Sequence, residues 1–123
     1  MAGALLIISA ITHTLQVFVY GGVSGNVAAA LYGVMYLVLG ASIIKYPERS
    51  LLVLMCIIIP GIGGIGGVTR FLFIHTHEAN YFIVLHVIID MVVVPTCVYL
   101  YKYRNASQLE SIMIKEELVA TVQ

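Results

Sequence analysis

The chain has 123 residues, of which 61% are hydrophobic and only 10% charged, and its mean hydropathy is +1.04. A soluble domain carries about 25% charged residues, and a chain this short exposes so much of its surface that these few charges cannot cover it, so the composition points to a membrane protein. Six basic and six acidic residues leave a formal net charge of +0, which gives no electrostatic basis for binding nucleic acid.

Residues 2–21 form the first apolar run. No Lys or Arg occurs before Lys45, so the run lacks the basic leader of a secretory signal and reads as a retained transmembrane helix. Ser9, His13, Gln16 and Tyr20 follow one another by four, three and four, which places a polar stripe on one helix face.

The segment GGVSGN, residues 21–26, reads as a turn, and a second span covers 27–45. Ala29, Gly33, Tyr36 and Gly40 share a face of it. Small residues at that spacing let helix backbones approach closely in lipid. The charged, Pro-containing KYPERS, residues 45–50, is the next loop, with a helix expected to begin near Pro47.

The third span, 50–74, contains PGIGGIGG at 60–67. Such residues are tolerated in a membrane helix where neighbours re-satisfy the backbone, and a kink is expected near Pro60. Gly63, Gly67 and Arg70 share a face, so the closest-packing surface also carries a charge inward. A phosphate-binding loop is excluded, because no Lys-Ser or Lys-Thr follows the glycines and no strand precedes them.

HTHEAN, residues 75–80, is the third loop, and the fourth span covers 81–103. Tyr81 at one end and Tyr99, Tyr101, Lys102, Tyr103 and Arg104 at the other are interfacial anchors. Its apolar body holds His86 and Asp90, four residues apart and therefore on one face. Ionisable groups in hydrocarbon turn inward to partners, so this span implies a polar interior supplied by the other helices. Residues 105–123 turn polar, with Leu109, Ile112, Met113 and Leu118 in partial helical phase; a short amphipathic helix or tail is expected. Cys56 and Cys97 lie in apolar runs without metal-type spacing.

The expected fold is therefore all-α: four transmembrane helices in an up-down-up-down bundle forming one domain, 1–104, followed by a cytoplasmic tail, 105–123. Lys45, Arg49, Lys102 and Arg104 lie on the side shared by the second loop and the C-terminal segment. The positive-inside rule then places both termini in the cytoplasm and loops 21–26 and 75–80 outside, in a cell membrane. Counting a rise of ~1.5 Å per residue from the outer ends puts Arg70 at ~6 Å depth, Gln16 and His86 at ~8 Å, His13 at ~12 Å and Asp90 at ~14 Å. A buried polar cluster of Gln16, Arg70 and Asp90 beside the two histidines follows, with Arg70 and Asp90 expected as partners.

Three chemistries suit these residues. His13 and His86, on two helices at similar depth, are candidates for cofactor binding as axial ligands of a haem, with the glycine-rich helix leaving room for a porphyrin face. His75, His77 and Glu78 in the third loop are candidate metal ligands, copper or zinc suiting imidazole and carboxylate. A chain of His and Asp also suits proton movement, although the other half of the bundle offers no ionisable group except its cysteines. No catalytic residue set of the Ser-His-Asp or Cys-His kind is present. The functional expectation is an accessory subunit of a larger membrane complex, such as a membrane oxidoreductase or metalloenzyme, rather than an enzyme acting alone. The alternatives are a self-sufficient haem or copper protein and a component of a proton-coupled transporter or channel. Partners beyond the lipid bilayer are other membrane subunits, or a second copy meeting through the Gly63/Gly67 and Ala29/Gly33/Gly40 faces.

Overall fold

The computed structural model describes residues 1–73 and 81–122 and consists of four helices: α1 (Ala2–Tyr20), α2 (Ser24–Lys45), α3 (Ser50–Phe73) and α4 (Tyr81–Val122). Each is long and apolar enough to cross a bilayer, and no strand occurs among the described residues. The chain is a small integral membrane protein.

Glycine contacts and polar bonds set the register between helices. An ideal Cβ built on Gly3 of α1 would come within 2.8 Å of the Gly40 carbonyl on α2, and one on Gly40 would meet the Gly3 carbonyl at 2.8 Å. Farther along, Gly33 faces Ala10 and His13, and at the other end Gln16 bonds Asn26. The start of α1 therefore lies beside the end of α2. The same reversal relates α3 to α4, since Gly63 and Gly64 sit against Asp90, and Gly67 against Val87 and Ile83. The contacts fit the expected up-down-up-down course.

This packing reassigns the small-residue faces. The glycines at 33, 40, 63 and 67 were expected to be available for contacts between subunits, but their open sides are filled within the bundle by Ala10, Gly3, Tyr36 and Val87. Close backbone approach is the source of van der Waals attraction in lipid, and here the single chain uses it for itself. The turn between α1 and α2 is shorter than expected, and Gly21 takes φ +82, a left-handed conformation that glycine adopts at no steric cost.

The fourth helix differs most from expectation. It runs unbroken for 42 residues, so residues 104–122 continue the helix of the fourth span without a break. No Gly or Pro follows Pro95 within it, and nothing in the sequence supplies a stop signal. Pro60 and Pro95 both lie inside continuous helices.

Candidate functional site

The polar residues of α1 and α4 meet at the centre of the bundle. The His13 and His86 rings stack face to face, with centroids 3.5 Å apart and planes 12° from parallel. Ser9, fully buried one turn before His13, hydrogen-bonds His86 Nδ1 at 3.0 Å. Beside this stack, the Tyr36 hydroxyl on α2 donates to Asp90 Oδ1 at 2.8 Å, and the Tyr36 ring meets His13 edge-on at 5.6 Å. Tyr32, one turn before Tyr36, donates to the Ile59 carbonyl at 2.8 Å, tying α2 to α3 just before Pro60.

A second polar group closes the end of the bundle where α1 meets α2. Asn26 Oδ1 accepts from Gln16 Nε2 and from Arg70 Nη2, each at 2.8 Å, while Asn26 Nδ2 donates to the Gly21 carbonyl at 2.8 Å. Arg70 Nη1 also donates to the Gly25 carbonyl at 3.0 Å. One Asn thereby joins α1, α2 and α3.

Between these two groups lies a cavity of about 320 Å³, within the range of small-molecule sites. Its floor is the buried wall of α1 and α4, with His13, Gln16, His86 and Asp90. Its sides are Tyr32, Tyr36 and the glycine face of α3, and Arg70 lies toward the clasped end. The lining residues Gly25, Ala28, Ile62 and Gly66 are solvent-exposed, all on α2 and α3. The cavity opens sideways, along the seam between those two helices.

Buried polar atoms normally find partners. Here Gln16 Oε1, His13 Nδ1 and His86 Nε2 have none among the described residues, although Gln16 is 1% exposed and His86 5%. All three residues line the cavity.

Of the residues singled out in the sequence, His13, Gln16, Arg70, His86 and Asp90 converge on this one cavity. The expected pairing of Arg70 with Asp90 gives way to different hydrogen bonds: Arg70 holds Asn26 and Gly25, and Asp90 accepts from Tyr36. The reason is axial offset, since Asp90 packs on Gly63 and Gly64 and Arg70 lies six residues beyond, about 9 Å of rise. The haem expectation also meets an obstacle. A porphyrin held between two imidazoles needs both ring nitrogens aimed at a metal between them, whereas these rings fill that space with their own faces. His75, His77 and Glu78 lie outside the described residues, and no group of three His, Cys, Asp or Glu side chains converges on a metal site among the described residues.

Asn26, Tyr32 and Ser9 are site residues that sequence reasoning did not assign. Asn26 falls in a segment read as a turn, and only its position opposite Gln16 across the first loop hints at its role. Comparison of the chain with protein-family models, with curated proteins and with solved structures finds no match.

Proposed function

We propose that the protein is a ligand-binding subunit of a larger membrane assembly, in which the bundle holds a small molecule in the cavity between α2 and α3. One observation carries this reading: Gln16 and His86, each with a buried side-chain atom that has no hydrogen-bond partner among the described residues, line a cavity of ligand size. An unsatisfied buried polar atom costs about 1–3 kcal/mol, and a bound molecule that supplies the missing hydrogen bonds recovers it. Pockets with a few convergent polar groups on apolar walls are the usual form of such sites.

The part concerning an assembly rests on α4. Its last stretch continues about 28 Å past the membrane anchors, and Leu109, Ile112 and Met113 are all more than half exposed on it. These spacings of three and one form a single apolar stripe, which water does not favour and a partner helix does. The basic residues Lys45, Arg49, Lys102 and Arg104 support a reading in which this extension and both termini are cytoplasmic and the cavity lies in the outer half of a cell membrane.

The test is native purification through an N-terminal tag in mild detergent, with mass spectrometry of the intact particle. A stoichiometric small molecule and reproducible partner chains are expected, with the partners lost on Leu109→Lys/Ile112→Lys substitution. A lone chain from native membranes removes the subunit reading. A ligand-free chain that also takes up nothing from membrane extracts removes the binding reading.

A further inference from the structure

We infer that the end of the bundle remote from the first cavity holds a site for the phosphate of an anionic phospholipid, with Arg104 as the group that binds it. The site is independent of the ligand-binding reading above. A second cavity, of about 270 Å³, lies where the start of α1 and the end of α2 meet α3 and α4. Gly3, Ile43, Pro47, Val53, Leu100 and Arg104 line it, so all four helices and the turn between α2 and α3 contribute a wall. Antiparallel packing of α1 on α2 keeps the two cavities apart. It sets Gly3 beside Gly40 at this end and Gln16 beside Asn26 at the other.

Arg104 is the one charged side chain on these walls. It is partly buried, and a guanidinium stays charged whatever its surroundings. Its Nη1 lies beneath the surface without a hydrogen-bond partner, and no acidic side chain pairs with it, among the described residues. Glu48 in the turn and Glu110 farther along α4 are both exposed. A charge held among apolar side chains without a counter-charge is costly. Because the charge is spread over the whole guanidinium, an anion in the cavity offsets it without having to reach Nη1 itself.

The surroundings select the anion. Tyr99 and Tyr103, on the same stretch of α4, are both more than half exposed. Tyr46 carries Lys45 and Arg49 over its ring, at 5.1 and 4.7 Å from the centroid. Aromatic and basic residues in this combination mark the headgroup level of a bilayer, where every phospholipid presents a phosphate. Lys45, Arg49, Lys102 and Arg104 outnumber Glu48 at this level, which favours a lipid of net negative charge over a zwitterionic one. The guanidinium fork matches two phosphate oxygens at once. Apolar walls at Ile43, Val53 and Leu100, with exposed Ile44 and Pro47 at the rim, suit the glycerol and first acyl carbons that follow such a phosphate.

Native mass spectrometry of the full chain in detergent, titrated with phosphatidylglycerol, counts what is bound, and thermal unfolding of the same samples reads the effect on stability. The expected result is one phosphatidylglycerol retained per chain with a raised melting temperature, and a loss of affinity of about tenfold or more in Arg104→Gln. Lys102→Gln removes an exposed charge from the same turn of α4 and should bind as the parent chain does. Without lipid, Arg104→Gln should melt no lower than the parent, because it loses a charge that nothing pairs. A lower melting temperature there overturns the inference, since the protein itself would then be holding Arg104. Equal losses in Arg104→Gln and Lys102→Gln overturn it too, by reducing the site to a diffuse basic surface, as does equal binding of phosphatidylcholine with the same acyl chains. Titrations with glycerol 3-phosphate and inorganic phosphate separate the sources of the anion. Either one binding as tightly as the lipid, and lost in Arg104→Gln, refutes the lipid and retains the phosphate site. A folded chain that binds none of them refutes both. Because Arg104 lies at the opposite end from His86 and Asp90, a molecule that Arg104→Gln still retains belongs to the first cavity and bears on the ligand-binding reading alone.

Discussion

Tyr36 of α2 donates a 2.8 Å hydrogen bond to Asp90 of α4, and it does so across the backbone of Gly63 on α3. A Cβ on Gly63 would lie 2.5 Å from the Tyr36 hydroxyl and 3.4 Å from Asp90 Oδ2. The glycine and the polar bond are thus one device: the third helix gives up a side chain so that the second can reach the fourth.

Gly63→Ala should therefore break this contact and lower stability by about 1–3 kcal/mol, the usual cost of overpacking. Gly61→Ala is the control, because a Cβ at Gly61 meets nothing within 4 Å and alanine is the better helix former. Thermal unfolding in detergent should show a clear drop for Gly63→Ala and little change for Gly61→Ala. Equal effects would contradict the packing described.

The Tyr36 and Asp90 bond should appear in a double-mutant cycle. Tyr36→Phe leaves a carboxyl that is 3% exposed without its hydroxyl partner, at a cost of about 1–3 kcal/mol. Asp90→Leu in the same chain removes the orphaned group, so the double variant should be more stable than the sum of the single losses predicts. A coupling of about 0.5–3 kcal/mol is expected, and strict additivity would show that the two side chains do not interact.

Asn26 should be the most sensitive polar residue at the clasped end. Asn26→Ala removes the acceptor for both Gln16 and Arg70 and the donor to the Gly21 carbonyl, in a residue 2% exposed. Loss of about 2–4 kcal/mol is expected for such a network. Thr69→Ala, a helix-borne hydroxyl bonded only to its own backbone at Ile65 among the described bonds, should cost much less. A smaller loss for Asn26→Ala than for Thr69→Ala in urea or thermal unfolding would remove the hub role.

Cys56 and Cys97 give a direct check on how α3 meets α4. Both are free and fully buried, and their thiols lie close enough to influence one another. A membrane-permeant oxidant should join them within one chain, protecting both from maleimide under denaturing conditions unless a reductant is added first. Disulfides between chains in place of this intramolecular bond would contradict the antiparallel contact of the two helices.

Burial in a membrane makes some of this architecture readable from sequence alone. Charges are so costly in hydrocarbon that four long apolar runs with short polar breaks can only be membrane helices, and the intervals between Ser9, His13 and Gln16 and between His86 and Asp90 fix which side chains share a face. That the five polar residues meet was legible for the same reason: each had to turn inward. Which of them touch was not. The axial offset of α3 against α2 and α4 is set by glycine packing at Gly63 and Gly67, and it directs Arg70 to Asn26 and Asp90 to Tyr36. The face-to-face stack of His13 on His86 likewise depends on α1 and α4 meeting at one depth and angle, information that no single helix contains. The cavity follows from the same cause. Sequence determines the period and polarity of each helix, whereas only the packed bundle determines where two helices fail to fill the space between them.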